Sequence, residues 1–410
     1  MASIKLKHSG GNGVIIAAPT SNPASDKTLT LPSDVDGTVV SKDSSNSLQN
    51  IAGINGGQLS NRRININGQM SIWQRGTSRT TNGYGPDRYY QQMSNAGSIT
   101  HTISRQSLTS SDTPYSLGFR YFQRHALSGA GTANANASVY TQHTIEAQDL
   151  AQSGWDYTST SSYLSISFWV RVSTSQKFYL NLRTRDGTSQ AYNIPFTPSA
   201  NTWTKVTAQV AGNSNIQIDN DNDKGLNLNF YKFLGTDDTG GSSENAWAAY
   251  SGTAKVPDMA STWLTAGAST FDLTGLQVEV GDTATDFEHR SLAVEKRLCM
   301  RYYQQYTNIM SVGYVPNNSS KSYSHGFHFP VEMRAAPTLT ISNTGSTAGQ
   351  YVNDGDTNRN VSSLNSHGSQ TYQMEYYFNL SGDLADYRGA YAVSSTSTTH
   401  QTTYYITAEL

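Results

Sequence analysis

The sequence has little charge, a single cysteine and no long apolar run. Only 14% of its 410 residues are charged, and the formal net charge is −2. No stripe of Lys and Arg of the kind that follows phosphates is visible, so we expect no nucleic-acid partner. The single cysteine, Cys299, excludes an intramolecular disulfide framework, and we expect it to be a small buried apolar residue.

Segments that would enter or cross a membrane are also missing. No run of about 18 apolar residues exists, and residues 1–10 lack the apolar core of a signal peptide. We therefore expect synthesis in a cytoplasm and no membrane insertion. The motifs Gly-x-Ser-x-Gly, His-Glu-x-x-His, Cys-x-x-Cys and the P-loop are absent as well. The sequence therefore shows no motif for nucleophilic catalysis, zinc binding or nucleotide binding, so we expect neither an enzyme nor a required cofactor.

The residues that are abundant are typical of β structure. The chain has 25 tyrosines and 34 glycines, and 36% of its residues are hydrophobic. Aromatic residues suit pleated, half-buried surfaces, and glycine allows tight turns. From Tyr163 to Val172, apolar and polar residues alternate with a period of two, as in a strand with one buried face. Many such short strands separated by turn signals predict an all-β fold with a jelly-roll β-sandwich.

One predicted strand changes phase in its middle. Phe271 and Leu273 occupy one phase of the alternation, whereas Leu276 and Val278 occupy the other. A β-bulge at Gly275 would allow all four apolar residues to face the same core.

The length predicts two to four domains, and the sequence pattern suggests their limits. Residues 1–60 contain short apolar stretches that cannot bury their own faces; they predict an extended N-terminal arm for docking or oligomerisation, with a disordered leader as the alternative. Residues 61–290 predict the sandwich. Residues 291–305 have helical spacing and predict a short linking helix. Residues 306–410 predict a smaller distal β domain, in which residues 342–371 form a long exposed loop.

Two passages resemble a family of bacteriophage tail and virion proteins. ININGQMSIWQRGT, at residues 64–77, and YGPDRY, at residues 84–89, are similar to the opening of that family. FDLTGLQVEVGDTATDFEHR, at residues 271–290, and the CMRYY that follows are similar to its close. The resemblance covers about three fifths of the chain.

This resemblance implies a jelly-roll sandwich, similar in shape to carbohydrate-binding modules, within a tail fibre or related appendage. By analogy with fibres we expect a homo-oligomer, a trimer, located in the virion and attached to other tail or capsid proteins through residues 1–60. The expected function is structural, with recognition of a host-surface glycan. The alternatives are a head fibre, decoration or tail-adaptor protein without a receptor role, and a polysaccharide depolymerase, which needs two carboxylates about 5–10 Å apart.

Aromatic side chains are the candidate glycan-binding residues. The apolar face of a sugar stacks on an aromatic ring, while amide and hydroxyl groups bind the sugar hydroxyls. The candidates in the distal region are Tyr306, Tyr314, Tyr323, Tyr372 and Tyr391. For each of these tyrosines, core packing or cross-strand pairing is the alternative interpretation.

Two further sites are predicted in the sandwich. Asp219, Asp221 and Asp223 alternate along the chain, and their oxygens could surround a Ca²⁺ ion; a polar hairpin loop is the alternative. Trp169 lies out of phase with the buried face of its strand, which favours an exposed ring or, as we expect, an oligomer interface. Trp203 is predicted to belong to the core.

Overall fold

The computed structural model describes residues 3–7, 13–17, 61–307, 311–315, 320–342, 350–353, 358–384, 389–394 and 403–410. The chain divides into two units, residues 1–52 and residues 53–410. In the first unit, β1 (Ser3–Lys7) pairs antiparallel with β2 (Gly13–Ala17). Residues 18–60 of the predicted N-terminal arm lie outside the described residues, so its docking or oligomerising role stays a prediction.

The second unit begins with strands that form two antiparallel sheets. They are β3 (Ser78–Arg79), β4 (Gly83–Tyr84), β5 (Tyr89–Ser94), β6 (His101–Ser107), β7 (Tyr121–Leu127), β8 (Ser138–Glu146), β9 (Tyr163–Val172), β10 (Phe178–Thr184), β11 (Gln190–Phe196), β12 (Thr204–Ala211), β13 (Lys224–Leu234), β14 (Trp247–Ala249) and β15 (Thr270–Val280). Among the described residues of this unit, the helices are α1 (Thr113–Ser116), α2 (Ala147–Ala151), α3 (Thr262–Thr265) and α4 (Leu292–Met300).

The two sheets stack as a β-sandwich. The seven-stranded sheet has the order β14-β11-β10-β13-β8-β5-β4, and the six-stranded sheet has the order β12-β9-β15-β7-β6-β3. Many neighbours within each sheet are distant in the sequence, as in the crossed connections of a jelly roll. The predicted all-β jelly-roll fold is therefore confirmed.

The space between the two sheets holds the main hydrophobic core. On β9, Leu164, Ile166 and Phe168 are at most 1% exposed, as their alternation predicts. Phe168 lies edge-on to Phe196 and Phe230 of the opposite sheet, with ring centroids 5.2 and 5.1 Å away. Burying one such side chain stabilises the fold by roughly 1.5–3 kcal/mol. Packing of these alternating residues therefore holds the two sheets face to face.

β15 carries the predicted β-bulge. Its pairing with β9 shifts register between Thr274 and Gln277, and Gly275 has a φ of +67°. Leu273 before the bulge and Leu276 after it are both fully buried. The prediction is confirmed, because the extra residue returns the second half of the strand to the core side.

The C-terminal part of the second unit contains two further sheets. Their strands are β16 (Tyr303–Thr307), β17 (Ser311–Tyr314), β18 (Lys321–His328), β19 (Thr338–Ile341), β20 (Gln350–Asn353), β21 (Asn358–Ser369), β22 (Gln373–Leu380), β23 (Gly389–Ser394) and β24 (Thr403–Thr407). β17-β18-β22-β21-β20-β23 close into a barrel, and β16-β24-β19 form a three-stranded sheet. Their core includes Val361, Met374 and Ile406.

The linking helix is shorter than the predicted residues 291–305. α4 ends at Met300, and Tyr303 already begins β16. Helical spacing continues through Tyr303, but the hydrogen bonds that residues 303–307 make with β24 replace the last helical turn. Cys299 is fully buried in α4, as predicted. No helix among the described residues is long and apolar enough to span a membrane.

The prediction of a long exposed loop at residues 342–371 was wrong. β20 and the whole of β21 lie in this segment, and Val361 is fully buried. The pairing of β21 with β22 shifts register after Val361 and again between Ser366 and Gly368. Each shift interrupts the period-two pattern, so this polar strand was not recognisable from alternation.

The two passages that resemble phage proteins meet where the sandwich contacts the C-terminal strands, a region we call the joint. The Arg75 guanidinium lies 3.5 Å from the centroid of the Tyr303 ring, and that of Arg88 lies 3.3 Å from the centroid of the Tyr302 ring. Both arginines pair with Glu409. Stacked and charge-paired guanidinium groups hold elements in register, so these motif residues attach the C-terminal strands to the sandwich.

Candidate functional site

The outer side of the seven-stranded sheet carries an open cavity, which we call the groove. Along β13, Leu228 and Phe230 are fully buried in the core, so alternation turns Asn229 and Tyr231 to the outer side. The groove has a volume of about 330 Å³. It is lined by Gln92, Ser94, Asn136, Ser138, Tyr140, Gln142, Arg183, Asn227, Asn229, Tyr231, Leu234, Asp238, Tyr250 and Lys255.

Side-chain amides cross four strands of this sheet as a continuous hydrogen-bonded row, the amide ladder. Gln142 Nε2 donates to Asn229 Oδ1 at 2.9 Å, and Asn229 Nδ2 donates to Asn181 Oδ1 at 3.1 Å. Asn181 Nδ2 then donates to Asn193 Oδ1 at 2.7 Å. An amide has two N–H donors and an oxygen with two lone pairs. The ladder therefore fixes these groups. Gln142 is part-exposed in the groove, whereas Asn229, Asn181 and Asn193 are at most 3% exposed.

Two tyrosines lie beside the amide ladder. Tyr140 on β8 is opposite Tyr231 on β13, with ring centroids 5.7 Å apart in an edge-to-face arrangement. The Tyr140 hydroxyl donates to Gln92 Oε1 at 2.7 Å. Burial raises the pKa of Tyr140 to about 12 and also raises the pKa of Tyr231. Both phenols are therefore neutral around pH 7, and the Tyr140 hydroxyl, which donates its proton to Gln92, can still accept a hydrogen bond.

Charged side chains complete the wall of the groove. The Arg183 guanidinium carbon lies 3.5 Å from the centroid of the Tyr250 ring. Lys255 Nζ and Asp238 Oδ2 form an ion pair at 2.8 Å. Together with the amides and the phenols, these groups offer many hydrogen-bonding positions and several ring surfaces. The arrangement suits a ligand that has many hydroxyl groups and an apolar face.

A larger cavity, of about 700 Å³, lies beside α4. Some of its charged side chains are already paired: Arg63 pairs with Glu295, and Arg290 lies 3.6 Å from Glu288. The other lining residues include Ile66, Val280 and Leu298, and none of the lining residues is a tyrosine or a tryptophan. The groove is therefore the stronger candidate for a binding site.

The predicted glycan-binding tyrosines are only partly brought together. Tyr314 on β17, which is 51% exposed, and Tyr323 on β18 have ring centroids 5.8 Å apart. Tyr377 on β22 extends this row, 5.2 Å from Tyr323. Tyr372 is exposed at a separate turn, and Tyr306 is half-buried in the three-stranded sheet.

Glycan binding by these tyrosines stays a prediction. Of the five candidates, the structure places Tyr314 and Tyr323 side by side and adds Tyr377, which sequence reasoning did not single out. The side chain of Tyr391 lies outside the described residues.

The three aspartates predicted to bind calcium lie in the loop before β13. The Asp219 N–H donates to Asp186 Oδ2 at 3.0 Å, and the Asp223 N–H donates to Asp221 Oδ1 at 2.9 Å. Within the part of the chain that is described, no group of three or more His, Cys, Asp or Glu side chains is placed to hold a metal ion. These bonds are those of a polar loop, so the predicted calcium site has no geometric support.

Trp169 lies half-buried on the outer side of the six-stranded sheet. It packs against a cluster that includes Phe119, Phe122 and Trp203. A Cβ at Gly275 would lie 3.1 Å from Trp169 and 2.9 Å from Phe119, so glycine at the bulge gives both rings room. Trp203 is buried, as predicted. Because the chain's own residues cover part of Trp169, its role at an oligomer interface stays a prediction.

The sequence contained a signal for the groove that was not recognised. In LNLNFY, at residues 226–231, Asn alternates with Leu. Since Asn is depleted in strands, repeated Asn on one side of a strand with an apolar other side indicates a polar sheet surface. The partners of Asn229 could not be predicted, because Gln142 and Asn181 reach it only through the order of the strands.

No protein-family model matches the chain, and no curated protein matches it. Among solved structures, the chain is similar to a family 11 carbohydrate-binding module from Clostridium thermocellum in complex with a β-1,3-1,4-mixed-linked tetrasaccharide. The identity is 8%, the TM-score is 0.25, and the match covers 52% of this chain and 98% of that chain.

Two other solved structures are similar over the same share of the chain. The CBM22-1 xylan-binding domain from Paenibacillus barcinonensis matches at 11% identity and a TM-score of 0.26, over 57% of this chain and 100% of that chain. A putative sugar binding protein from Bacteroides thetaiotaomicron matches at 9% identity and a TM-score of 0.28, over 53% and 99%. These scores are too low to carry an argument about function, and the jelly-roll assignment rests on the strand order itself.

Proposed function

We propose that this chain binds a glycan in the groove, as a non-catalytic structural component of a bacteriophage particle such as a tail fibre or similar appendage. The glycan part is carried by one observation: Gln142 and Asn229, held by the amide ladder, line an open cavity beside Tyr140 and Tyr231. The particle part is supported by the resemblance of residues 66–89 and 271–303 to phage tail and virion proteins.

A glycan fits the chemistry of this surface. A sugar presents hydroxyl groups at its rim and a C–H face that can pack against a ring. Because the ladder already orients Gln142 and Asn229, little side-chain ordering is required on binding. Each net hydrogen bond contributes only about 0.5–1.5 kcal/mol, so one groove binds weakly. Several linked copies raise the avidity, which agrees with the homotrimer that we propose for the particle.

The joint supports the particle assignment without identifying a ligand. Arg75, Arg88, Tyr302 and Tyr303 make structural contacts there, and none of them lines the groove. A head fibre or tail adaptor without a receptor role is therefore the second candidate, since a rigid joint is what a scaffold requires. In both cases we propose attachment to other tail or capsid proteins through residues 1–60.

Binding to purified surface polysaccharides from candidate host bacteria tests the proposal. Glycan arrays identify a ligand, and calorimetry measures its affinity for the full chain. We expect Tyr140→Ala and Gln142→Leu each to weaken binding by about tenfold or more, the equivalent of one or two hydrogen bonds or ring contacts. Tyr121→Ala is the matched control, because Tyr121 is also a half-buried strand tyrosine but belongs to the six-stranded sheet.

Several outcomes would decide against glycan recognition in the groove. If no host polysaccharide binds and the free protein does not block phage adsorption, the scaffold function is favoured. If glycan binding occurs but both groove variants bind like the wild type, the site lies elsewhere. A polysaccharide that becomes shorter on incubation would indicate a depolymerase.

A further inference from the structure

Arg183, at the wall of the groove, is a cation that forms no ion pair with any of the described residues. Its guanidinium is stacked on the Tyr250 ring at 3.5 Å, which restricts its orientation. Its Nε is buried without a hydrogen bond, and the acidic side chain that lines the groove, Asp238, is paired with Lys255 instead. A buried N–H group without an acceptor costs free energy that a bound acceptor can recover.

The remaining charges of the groove cancel. Lys255 and Asp238 pair with each other at 2.8 Å, and Asp238 is the acidic member of the lining set. Burial lowers the pKa of Arg183, Tyr250 opposes this effect, and the neighbouring cation Arg185 lowers the pKa further. The groove therefore presents one uncompensated positive charge beside its amides and phenols.

We infer that the glycan bound in the groove carries an anionic substituent, a carboxylate or a phosphate, and that Arg183 pairs with it. This inference rests on the proposed function, because it specifies the ligand class of the same groove. A guanidinium presents parallel N–H donors that match two oxygens of a carboxylate or phosphate. A wholly neutral sugar would leave most of this donor capacity and the positive charge without a partner.

The position of Arg183 agrees with a single ligand that contacts both the guanidinium of Arg183 and the amides of the ladder. Arg183 lies opposite Asn227 on β13, two residues along the strand from the level of Asn181 and Asn229. Two residues of a strand span about 7 Å. The anionic group and the hydroxyls bound by the amide ladder would therefore belong to neighbouring parts of one glycan.

The test compares chemically matched glycans on the full chain. An array would hold uronate-containing, phosphate-containing and neutral bacterial polysaccharides, together with carboxyl-reduced copies of the uronate-containing ones. We expect an anionic polysaccharide to bind best, and Arg183→Met to weaken it by about 10- to 100-fold, the range for a hydrogen bond to a charged group. Arg183→Lys keeps the charge but not the paired donors, so it should lose less than Arg183→Met. Raised salt should weaken wild-type binding more than binding by Arg183→Met.

Arg105→Met is the matched control, because Arg105 also stacks on a tyrosine, Tyr121, at 4.6 Å but lies in the other sheet. Thermal melting verifies that each variant is folded. Loss of binding on carboxyl reduction identifies a carboxylate, and selective binding of the phosphate-containing glycans identifies a phosphate. Equal binding of neutral glycans, with no effect of Arg183→Met, overturns the inference and leaves the proposed function intact. Absence of binding to every polysaccharide overturns the proposed function itself.

Discussion

The two sheets of the sandwich differ in what lies on their outer sides. On the six-stranded sheet, Phe122 and Trp203 are buried beneath other parts of the same chain, with ring centroids 5.3 Å apart. Arg124 and Arg171 bind Asp272 there at 2.8 and 3.0 Å. On the seven-stranded sheet, the outer side carries the open, largely polar groove beside a small buried cluster that includes Tyr179 and Val256.

This difference assigns the two outer sides different roles: one stabilises the fold, and the other is accessible to a ligand. Aromatic rings and ion pairs that the chain covers itself can contribute only to folding. In the groove, the part-exposed Tyr140 and Gln142 are available to a ligand, whereas Asn229 and Tyr231 are buried behind them. We call the outer side of the six-stranded sheet the closed side. The two outer sides should respond differently to substitution: changes on the closed side should lower the free energy of unfolding, whereas changes in the groove should lower the affinity for a ligand.

The largest effect is expected for Trp203→Ala on the closed side. The Trp203 ring packs edge-on to Phe122, and its Nε1 donates to Asp112 Oδ1 at 2.9 Å. Truncating a buried Trp costs about 3–5 kcal/mol, and we expect that loss in the free energy of unfolding measured by chemical denaturation. Trp203→Phe should retain much of the stability, and groove affinity should not change in either variant. A loss below about 1 kcal/mol would mean that this side is not structurally closed.

The interior between the two sheets contains a buried lysine. Lys232 is fully buried, and its Nζ donates to Thr141 Oγ1 at 2.6 Å. His125 Nε2 lies 3.0 Å from the same oxygen, and His125 Nδ1 lies 2.8 Å from His101 Nε2. Burial lowers the pKa of Lys232 well below its usual value. Burial, followed by the charge of Lys232, lowers the pKa of His101 to about 3 and that of His125.

We expect Lys232→Met to raise the free energy of unfolding at pH 7 by about 1–4 kcal/mol, as when other buried charges are replaced by apolar groups. The depressed histidine pKa values mean that the unfolded chain takes up protons first as the pH falls below about 6.5. The histidine contribution to stability should therefore be complete above that pH and be lost towards pH 3. The depressed pKa of Lys232 lowers the stability over a higher range, beginning as the pH falls below about 10.4, where the lysine of the unfolded chain takes up its proton. In the Lys232→Met variant, the free energy of unfolding should fall less steeply as the pH is lowered. Lys205→Met, at an exposed position on β12, is the control; an identical pH profile for wild type and Lys232→Met would contradict the coupling.

A smaller effect is expected for Gly275→Ala, which tests how the closed side is formed. The residue has a φ of +67°, and a Cβ would lie 2.9 Å from Phe119. We expect a loss of about 1–3 kcal/mol from backbone strain and displaced rings, measured by thermal and chemical unfolding. Gly252→Ala is the control, since a Cβ there would meet nothing within 4 Å. Equal stability of the two variants would show that the bulge tolerates a side chain.

How well the sequence predicts each region depends on how far apart in the sequence the interacting residues lie. Alternation from Tyr163 to Val172 and the phase change at Gly275 are local, and both predicted the structure correctly. The joint could not be predicted, because Arg75 and Arg88 meet Glu409 more than 300 residues further along the chain. The groove could not be predicted for the same reason, because its side chains come together only when strands that are distant in the sequence pair.

The smallest effect on folding is expected for Trp169→Ala, which tests whether the closed side is covered by this chain alone. Trp169 is half-buried and lines a cavity of about 230 Å³ with Phe119 and Phe287. If a second copy covers the remaining ring surface, Trp169→Ala should shift the mass measured by analytical ultracentrifugation towards the monomer, with a loss in unfolding free energy of about 1 kcal/mol. Trp169→Phe should preserve most of the assembly. An unchanged mass for Trp169→Ala would place the oligomer interface elsewhere, and the six-stranded sheet would then be closed entirely by its own chain.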